Sequence, residues 1–259
     1  MEYRTIRQTT LILIPFTILL AAIIYVYYRA QPSPTCFDKV KNQDETGIDC
    51  GGSCMNCALK TKQPLKVFYV KFDEVSQGLY DVVAEVRNPN IKLSAAVIPY
   101  EITLRDKSGF TIEKISGSSY IYPLETVHVI EAGIRAKRTV AKVEFKITDS
   151  SVMWDVREDI KVPDLIGGDK EVLKEARPDG SVITILNAKI FNRSILDYDA
   201  IEVAVLITDA EQNVIAVSKT VIAKVRGGEF SPIVFSWQGD VPIDINKAII
   251  EPRLNLLKK

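Results

Sequence analysis

The chain has 259 residues, with 33 Lys plus Arg balancing 33 Asp plus Glu, and it is 47% hydrophobic and 25% charged. It is too apolar, and too sparing in Pro and Gly, for a disordered chain. Zero net charge argues against a general electrostatic grip on nucleic acid, and the chain lacks the series of long apolar segments a polytopic membrane protein needs. One histidine, His128, and four cysteines leave little material for histidine-based catalysis or a histidine-rich metal site.

The first element in chain order is the uncharged run Leu11 to Tyr28. At 1.5 Å per residue it spans roughly 27 Å, enough to cross a bilayer core. Tyr25, Tyr27 and Tyr28 cluster at one end, where amphipathic rings favour the interface. The run predicts a retained transmembrane signal anchor over 11–28. A cleaved signal peptide and a buried core helix are the alternatives. No small-residue cleavage site comes after it, since Tyr-Val-Tyr-Tyr-Arg occupies that place. Arg4 and Arg7 precede the span and Arg29 alone closely succeeds it, so the positive-inside rule puts residues 1–10 in the cytoplasm. The rest is expected outside the cell membrane, with the lipid bilayer as partner of the span.

Residues 29–60 read as a Pro-containing linker and a Cys-rich module. All four cysteines, Cys36, Cys50, Cys54 and Cys57, lie in this stretch. In an oxidising compartment they predict two disulfides, with three pairings open. Four thiolates holding a metal are the competing reading. Asp38, Asn42, Asp44, Glu45 and Asp49 form a crowd of oxygen donors that raises calcium as a weak third possibility.

Beyond Ala58 the texture changes to short alternating apolar runs. Val67–Val70, Tyr80–Val86, Ala96–Leu104, Thr126–Ile130 and Ala141–Ile147 predict strands of a first β-sandwich over 61–163. Turns are expected at Asn88-Pro-Asn90, Asp106–Gly109 and Gly117-Ser-Ser119. A connector is expected around Val162–Gly168, and one short helical turn over Lys170–Ala176. Strands at Ser181–Phe191, Ala200–Thr208, Val214–Ala223, Phe230–Trp237 and Ala248–Leu254 predict a second sandwich over 164–259.

The two sets repeat each other. Val86-Arg-Asn88 matches Ile190-Phe-Asn192, Leu104-Arg-Asp106 matches Ile207-Thr-Asp209, and Leu124-Glu125 matches Gly228-Glu229, at offsets of about 104 residues. That period is the size of one immunoglobulin-like domain. The fold class is therefore mainly β: a transmembrane helix, a Cys-rich module and two tandem immunoglobulin-like antiparallel β-sandwiches.

Two stretches resemble known groups. Cys36-Phe-Asp38, Asn42, Glu45-Thr-Gly47, Asp49-Cys-Gly-Gly52, Cys54 and Cys57 resemble a small Cys-rich module of bacterial surface and secreted proteins, including those of small-genome candidate phyla. Lys39 stands where that module usually has Gly. The resemblance implies an extracytoplasmic, disulfide-bonded stalk element. The tandem units are similar to the FxLYD and late-embryogenesis-like group of immunoglobulin-like domains. The pieces that carry this likeness are Ala84–Asn88 with Ile102–Asp106, and Ala188–Asn192 with Val203–Asp209. It implies a noncatalytic adhesion, stalk or scaffold module.

Other residues bear on chemistry. His128 alternates with Val127 and Val129 and reads as a surface or satisfied strand histidine. Asp155 and Asp159 could pair for glycoside chemistry, though a solvated connector accounts for them, with Trp154 at the interdomain junction and Trp237 in the second core. Asn192-Arg-Ser194 is a glycosylation triplet. No phosphate loop, nucleophile elbow or two-histidine metal motif is present. The expected function is a noncatalytic, membrane-anchored structural or interaction protein, with a protein partner or self-association. The alternative is a ligand receptor or enzyme subunit with a site between the sandwiches.

Overall fold

A computed structural model describes residues 2–30, 35–157, 160–211 and 213–257, with side chains of the first segment from Leu13 onward. The chain divides into two compact units, Met1–Lys60 and Thr61–Lys259.

The first unit opens with helix α1, Glu2–Ala30, which contains the predicted span and extends it at both ends. Its stretch Leu13–Ala30 is long and apolar enough to cross a membrane, and none of it is buried by the protein. Such a helix serves as a membrane anchor or a signal sequence. Pro15 sits inside α1 without ending it. Thr17 turns its hydroxyl back to the carbonyls of Leu13 and Ile14, so its polar atom is satisfied inside the apolar stretch. The Cys-rich module comes next and closes with one helical turn, α2, Cys57–Lys60.

The second unit holds thirteen strands among its described residues. They are β1 (Lys66–Ser76), β2 (Leu79–Arg87), β3 (Leu93–Arg105), β4 (Thr111–Ile121), β5 (Thr126–Arg135), β6 (Lys142–Ile147), β7 (Met153–Val156), β8 (Leu165–Ala176), β9 (Val182–Asn192), β10 (Tyr198–Thr208), β11 (Val214–Val225), β12 (Phe230–Gln238) and β13 (Ile249–Arg253). Two sheets, β1-β2-β5 and β4-β3-β6 with β7 also on β3, face each other over one core. Two more, β8-β9-β12 and β11-β10-β13, enclose a second. Apart from β7, which has no counterpart, the orders correspond strand for strand, so the sequence repeat is a repeat of topology. All pairings are antiparallel.

The repeated asparagines explain why the repeat survives. Asn88, directly after β2, and Asn192, the last residue of the corresponding β9, are almost fully buried. Asn88 donates its side-chain amide to the carbonyls of Leu93 and Tyr122 and accepts from the Asn90 backbone N–H. Asn192 does the same with Leu196, Val225 and Ser194. Each backbone N–H reaches the glutamate of its repeat, Asn88 to Glu125 and Asn192 to Glu229, both at 2.9 Å. Leu124 and Gly228, just before those glutamates, both take positive φ. One buried amide thus satisfies two loop carbonyls and a loop N–H that would otherwise lack partners.

Several local expectations are corrected. Gly117-Ser-Ser119 is not a turn but lies within β4, opposite Pro99 and Tyr100. Gly117 is glycine for space: a Cβ there would meet the Tyr100 ring at 2.4 Å. Lys170–Ala176 is not helical. It belongs to β8, a strand that begins inside the expected connector and pairs with β9 through Ala176↔Val182. Helix-favouring Lys, Glu, Leu and Ala yield here to ladder pairing and to the packing of Val172 on the second core. Gly167 lets β8 approach β13, because a Cβ would strike Ile250 at 2.6 Å. Trp154 packs on the first core from β7 rather than at the interdomain junction. Trp237 is in the second core, its indole N–H donating to the Val217 carbonyl.

Replacing Asn88 or Asn192 by Ala leaves two buried carbonyls without their donor. Each change is expected to cost about 2–4 kcal/mol, read from the denaturant midpoint of the full chain. A loss below about 0.5 kcal/mol in either variant, the range of an ordinary surface substitution, would contradict this role for the asparagines.

Candidate functional site

Two places concentrate polar chemistry: the Cys-rich module and the junction between the sandwiches. In the module the cysteines are joined as Cys36–Cys54 and Cys50–Cys57, the crossed one of the three pairings. Both loops are locked through one another within about twenty residues. The sulfurs of Cys36 and Cys54 lie within 4.8 Å of a Glu45 carboxylate oxygen, yet as disulfide sulfurs they present no thiolate to a metal.

The five oxygen-bearing residues divide by position. Asp38 accepts from the Thr35 and Val40 N–H groups and from the Asn42 side chain. The Thr35 N–H, the Asn42 amide and the Val40 N–H hold its carboxyl below the ordinary aspartate range. Buried Glu45 accepts from the Asn42 and Asp49 N–H groups, and Asp49 from the Lys39 N–H and the Lys60 ammonium. Asp44 stands apart on Ser53, whose hydroxyl and N–H it accepts. Asp38, Asn42, Glu45 and Asp49 are therefore linked in one chain of hydrogen bonds, and Asp44 is not. These carboxylates act as loop fasteners. Lys39 has φ +63°, the left-handed region that favours glycine, at the position where the resembling module usually has Gly.

The junction is built from strand faces turned away from the two cores. On β2 and β5, Val83 and Ile130 point outward; on β10 and β11, Leu206 and Val217 answer them in a separate buried apolar cluster. A second contact packs Tyr120 and Tyr122 against Leu257. Beside these seams lies a cleft of about 480 Å³, lined by Tyr100, His128 and Glu131 from the first sandwich and Glu202, Lys219 and Glu251 from the second. Its floor is low because Ala204 sits on β10 between Lys219 of β11 and Glu251 of β13, and a methyl group leaves space.

Charges at this joint are paired across it. His128 Nδ1 is 2.8 Å from Glu251 and Nε2 is 3.4 Å from Glu85, with only 12% of its side chain exposed. Lys219 donates to the Ile130 carbonyl and pairs with Glu131, which also accepts from the Tyr100 hydroxyl at 2.6 Å. Arg253 lies over the Tyr120 ring, pairs with Glu125 and donates to the Tyr120 carbonyl. The Glu202 side chain is exposed and makes no side-chain hydrogen bond or ion pair among the described residues.

The joint has an excess of negative charge. Burial pushes the Tyr69 hydroxyl up to about 12, reinforced by Glu85 and Glu251. Burial also raises Tyr100, reinforced by its bond to Glu131 and by the charges of Glu131 and Glu202. Burial of the His128 ring works against its proton, but Glu251 and Glu85 outweigh it and raise the pKa above 6.5.

Of the remaining sequence candidates, Asp155 pairs with Arg157 at 2.8 Å, and Asp159 lies outside the described residues. Asn192 of the glycosylation triplet is 2% exposed with its amide engaged, so the folded chain does not offer it for modification. The Glu85–His128–Glu251 cluster matches no sequence motif. Its one sequence signal is apolar residues at Val83, Ile130 and Leu206, where outward positions should be polar. No protein-family model matches the chain, and a search of the curated proteins finds no match.

Lys39→Gly relieves the left-handed strain at some cost in chain entropy, for a net stabilisation of up to about 1 kcal/mol. It should raise, by a few fold, the dithiothreitol concentration needed to release the four thiols; unchanged or easier reduction contradicts the strain. The raised His128 pKa means its stabilisation is complete below about 6.5 and lost as pH rises through the higher folded value. Imidazole NMR, with a single histidine in the chain, should show a pKa above 6.5 that falls in Glu251→Gln.

Proposed function

We propose that this is a noncatalytic membrane-tethered protein that holds a Cys-rich module and two sandwiches outside the cell membrane, as a structural or interaction module. The observation that carries this reading is the pair of crossed disulfides directly after an apolar helix of spanning length. Disulfides belong to oxidising compartments, and such a helix either tethers or exports the polypeptide on its C-terminal side. The resemblance of Cys36–Cys57 to modules of bacterial surface proteins, and of the tandem units to FxLYD-type domains, supports the same reading. Absence of catalysis is supported at His128, since both ring nitrogens face carboxylates and neither faces a nucleophile to activate. The paired strands end in edges (β4, β8 and β12 among them) that offer hydrogen-bonding groups for a protein partner or a second copy.

A specific observation favours a second reading, a ligand receptor. The junction holds a cleft that carries charged side chains rather than a smooth seam, and its two walls come from different sandwiches that are cemented together. A preformed cleft at a domain interface is a usual place for a ligand.

The tether is tested by carbonate washing of membranes and external protease on intact cells expressing the full chain. Retention in the washed pellet with loss of residues beyond the span to protease is the expected outcome. Release as a soluble chain beginning after Ala30, or full protection from protease, would overturn it.

A further inference from the structure

We propose that the cleft between the sandwiches binds an organic ammonium group. This rests on the reading of the cleft as a binding site, and it assigns the ligand its chemistry.

The cleft has hydrogen-bonding capacity and negative charge to spare. Three carboxylates line it: Glu131, Glu202 and Glu251. The two permanent cations there are already committed. The Lys219 ammonium is spent on the Ile130 carbonyl and Glu131. The Arg253 guanidinium is spent on Glu125 and the Tyr120 carbonyl. Glu202 faces Arg253 across the β10–β13 ladder, but the guanidinium turns to Glu125 and leaves the Glu202 carboxylate with no partner among the described residues. The Ser118, Ser119 and Thr220 hydroxyls that also line the cleft are neutral, so the unpaired Glu202 carboxylate is best met by a ligand that brings a charged donor. Glu85, Glu125, Glu131, Glu202 and Glu251 around the joint exceed Lys71, Lys219, Arg253 and a protonated His128, so it should also bring positive charge.

Size and wall chemistry narrow the class. About 480 Å³ suits a small molecule or one long side chain, not a folded partner. The exposed Val221 side chain and the Ala204 methyl line part of it and suit a methylene chain, while the exposed Glu202 waits at the polar end. A compact ammonium on an alkyl stem meets each demand, as in a free diamine or a lysine side chain of a peptide. His128 is the coupled group. Its neighbours are Glu85 on β2, Glu251 on β13 and the Tyr69 ring on β1, with Lys71 beside that ring. An ammonium in the cleft repels protonated His128, so binding lowers the histidine's pKa and tightens as pH rises through it.

The sole histidine gives a site-specific reporter. Full-length protein carrying a tag without histidine, reconstituted in nanodiscs, is titrated with cadaverine, a Gly-Lys-Gly peptide, N-acetylglucosamine and glutarate while the His128 imidazole signals are followed. Cadaverine or the peptide should shift them saturably and lower the His128 pKa, and the tighter of the two identifies the source of the ammonium. Glu202→Gln should weaken that binding at least five-fold with the free-state signals unchanged, and Glu171→Gln on exposed β8 should leave binding as it was. Ammonium binding equal in Glu202→Gln and the parent overturns the proposal. Saturable shifts with the sugar or the dicarboxylate, but not the amines, overturn it and leave the binding cleft standing. No shift with any of the four overturns both the ammonium assignment and the receptor reading.

Discussion

Val83 and Ile130 lie on the side of their sheet that faces away from the first core, and they are buried because Leu206 and Val217 of the second sandwich cover them. Burying such a side chain contributes about 1.5–3 kcal/mol, an upper range because unfolded chains already hide some apolar surface. Without this contact each sandwich would expose an apolar patch on an otherwise alternating strand. With it, β2 and β10, the central strands of their sheets, are covered on both faces. Everything at the joint depends on that pairing of faces. His128, Glu131, Lys219, Glu251 and Arg253 sit around the apolar seam, where partial burial strengthens their attractions and fixes their partners.

Paired charges at an interface do more for register than for net stability, since desolvation consumes much of the Coulomb gain. Here two of the three cross-sandwich pairs are also hydrogen-bonded to backbone carbonyls at the seam, Lys219 to Ile130 and Arg253 to Tyr120. That geometry admits one alignment of the sheets. The Tyr122 hydroxyl adds a further tie, donating to the Leu254 carbonyl and accepting from the Leu256 N–H. The cleft is the part of the joint that these contacts do not fill, and the small Ala204 side chain is why it stays open.

The repeat rests on a different device. A buried asparagine, just past β2 and at the last position of β9, ties the next loop and a returning loop to one side chain. Leu124 adopts the same positive φ that Gly228 adopts without a side-chain penalty. Conformation is kept where the hydrogen-bond accounting demands it, even where the local residue is poorly suited. Lys39 in the Cys-rich module is a parallel case, its N–H held by Asp49 at 2.8 Å.

Much of the architecture is legible in the residues themselves. An uncharged run of spanning length, four cysteines in one short segment and a repeat near 104 residues are each local patterns, which a single chain displays openly. Local pattern misleads where a distant neighbour decides the outcome. Gly117 reads as a turn until Tyr100 is placed against it, and Lys170–Ala176 reads as helix until β9 offers a ladder. The crossed disulfide pairing is likewise invisible in spacing, because all three pairings close loops of acceptable length. Only the tertiary structure decided that the outer faces of two sandwiches meet and bring Glu85, His128 and Glu251 together across more than 120 positions of sequence. Periodicity tells which side of a strand is apolar; which surface covers it depends on packing between elements that carry no local mark of one another.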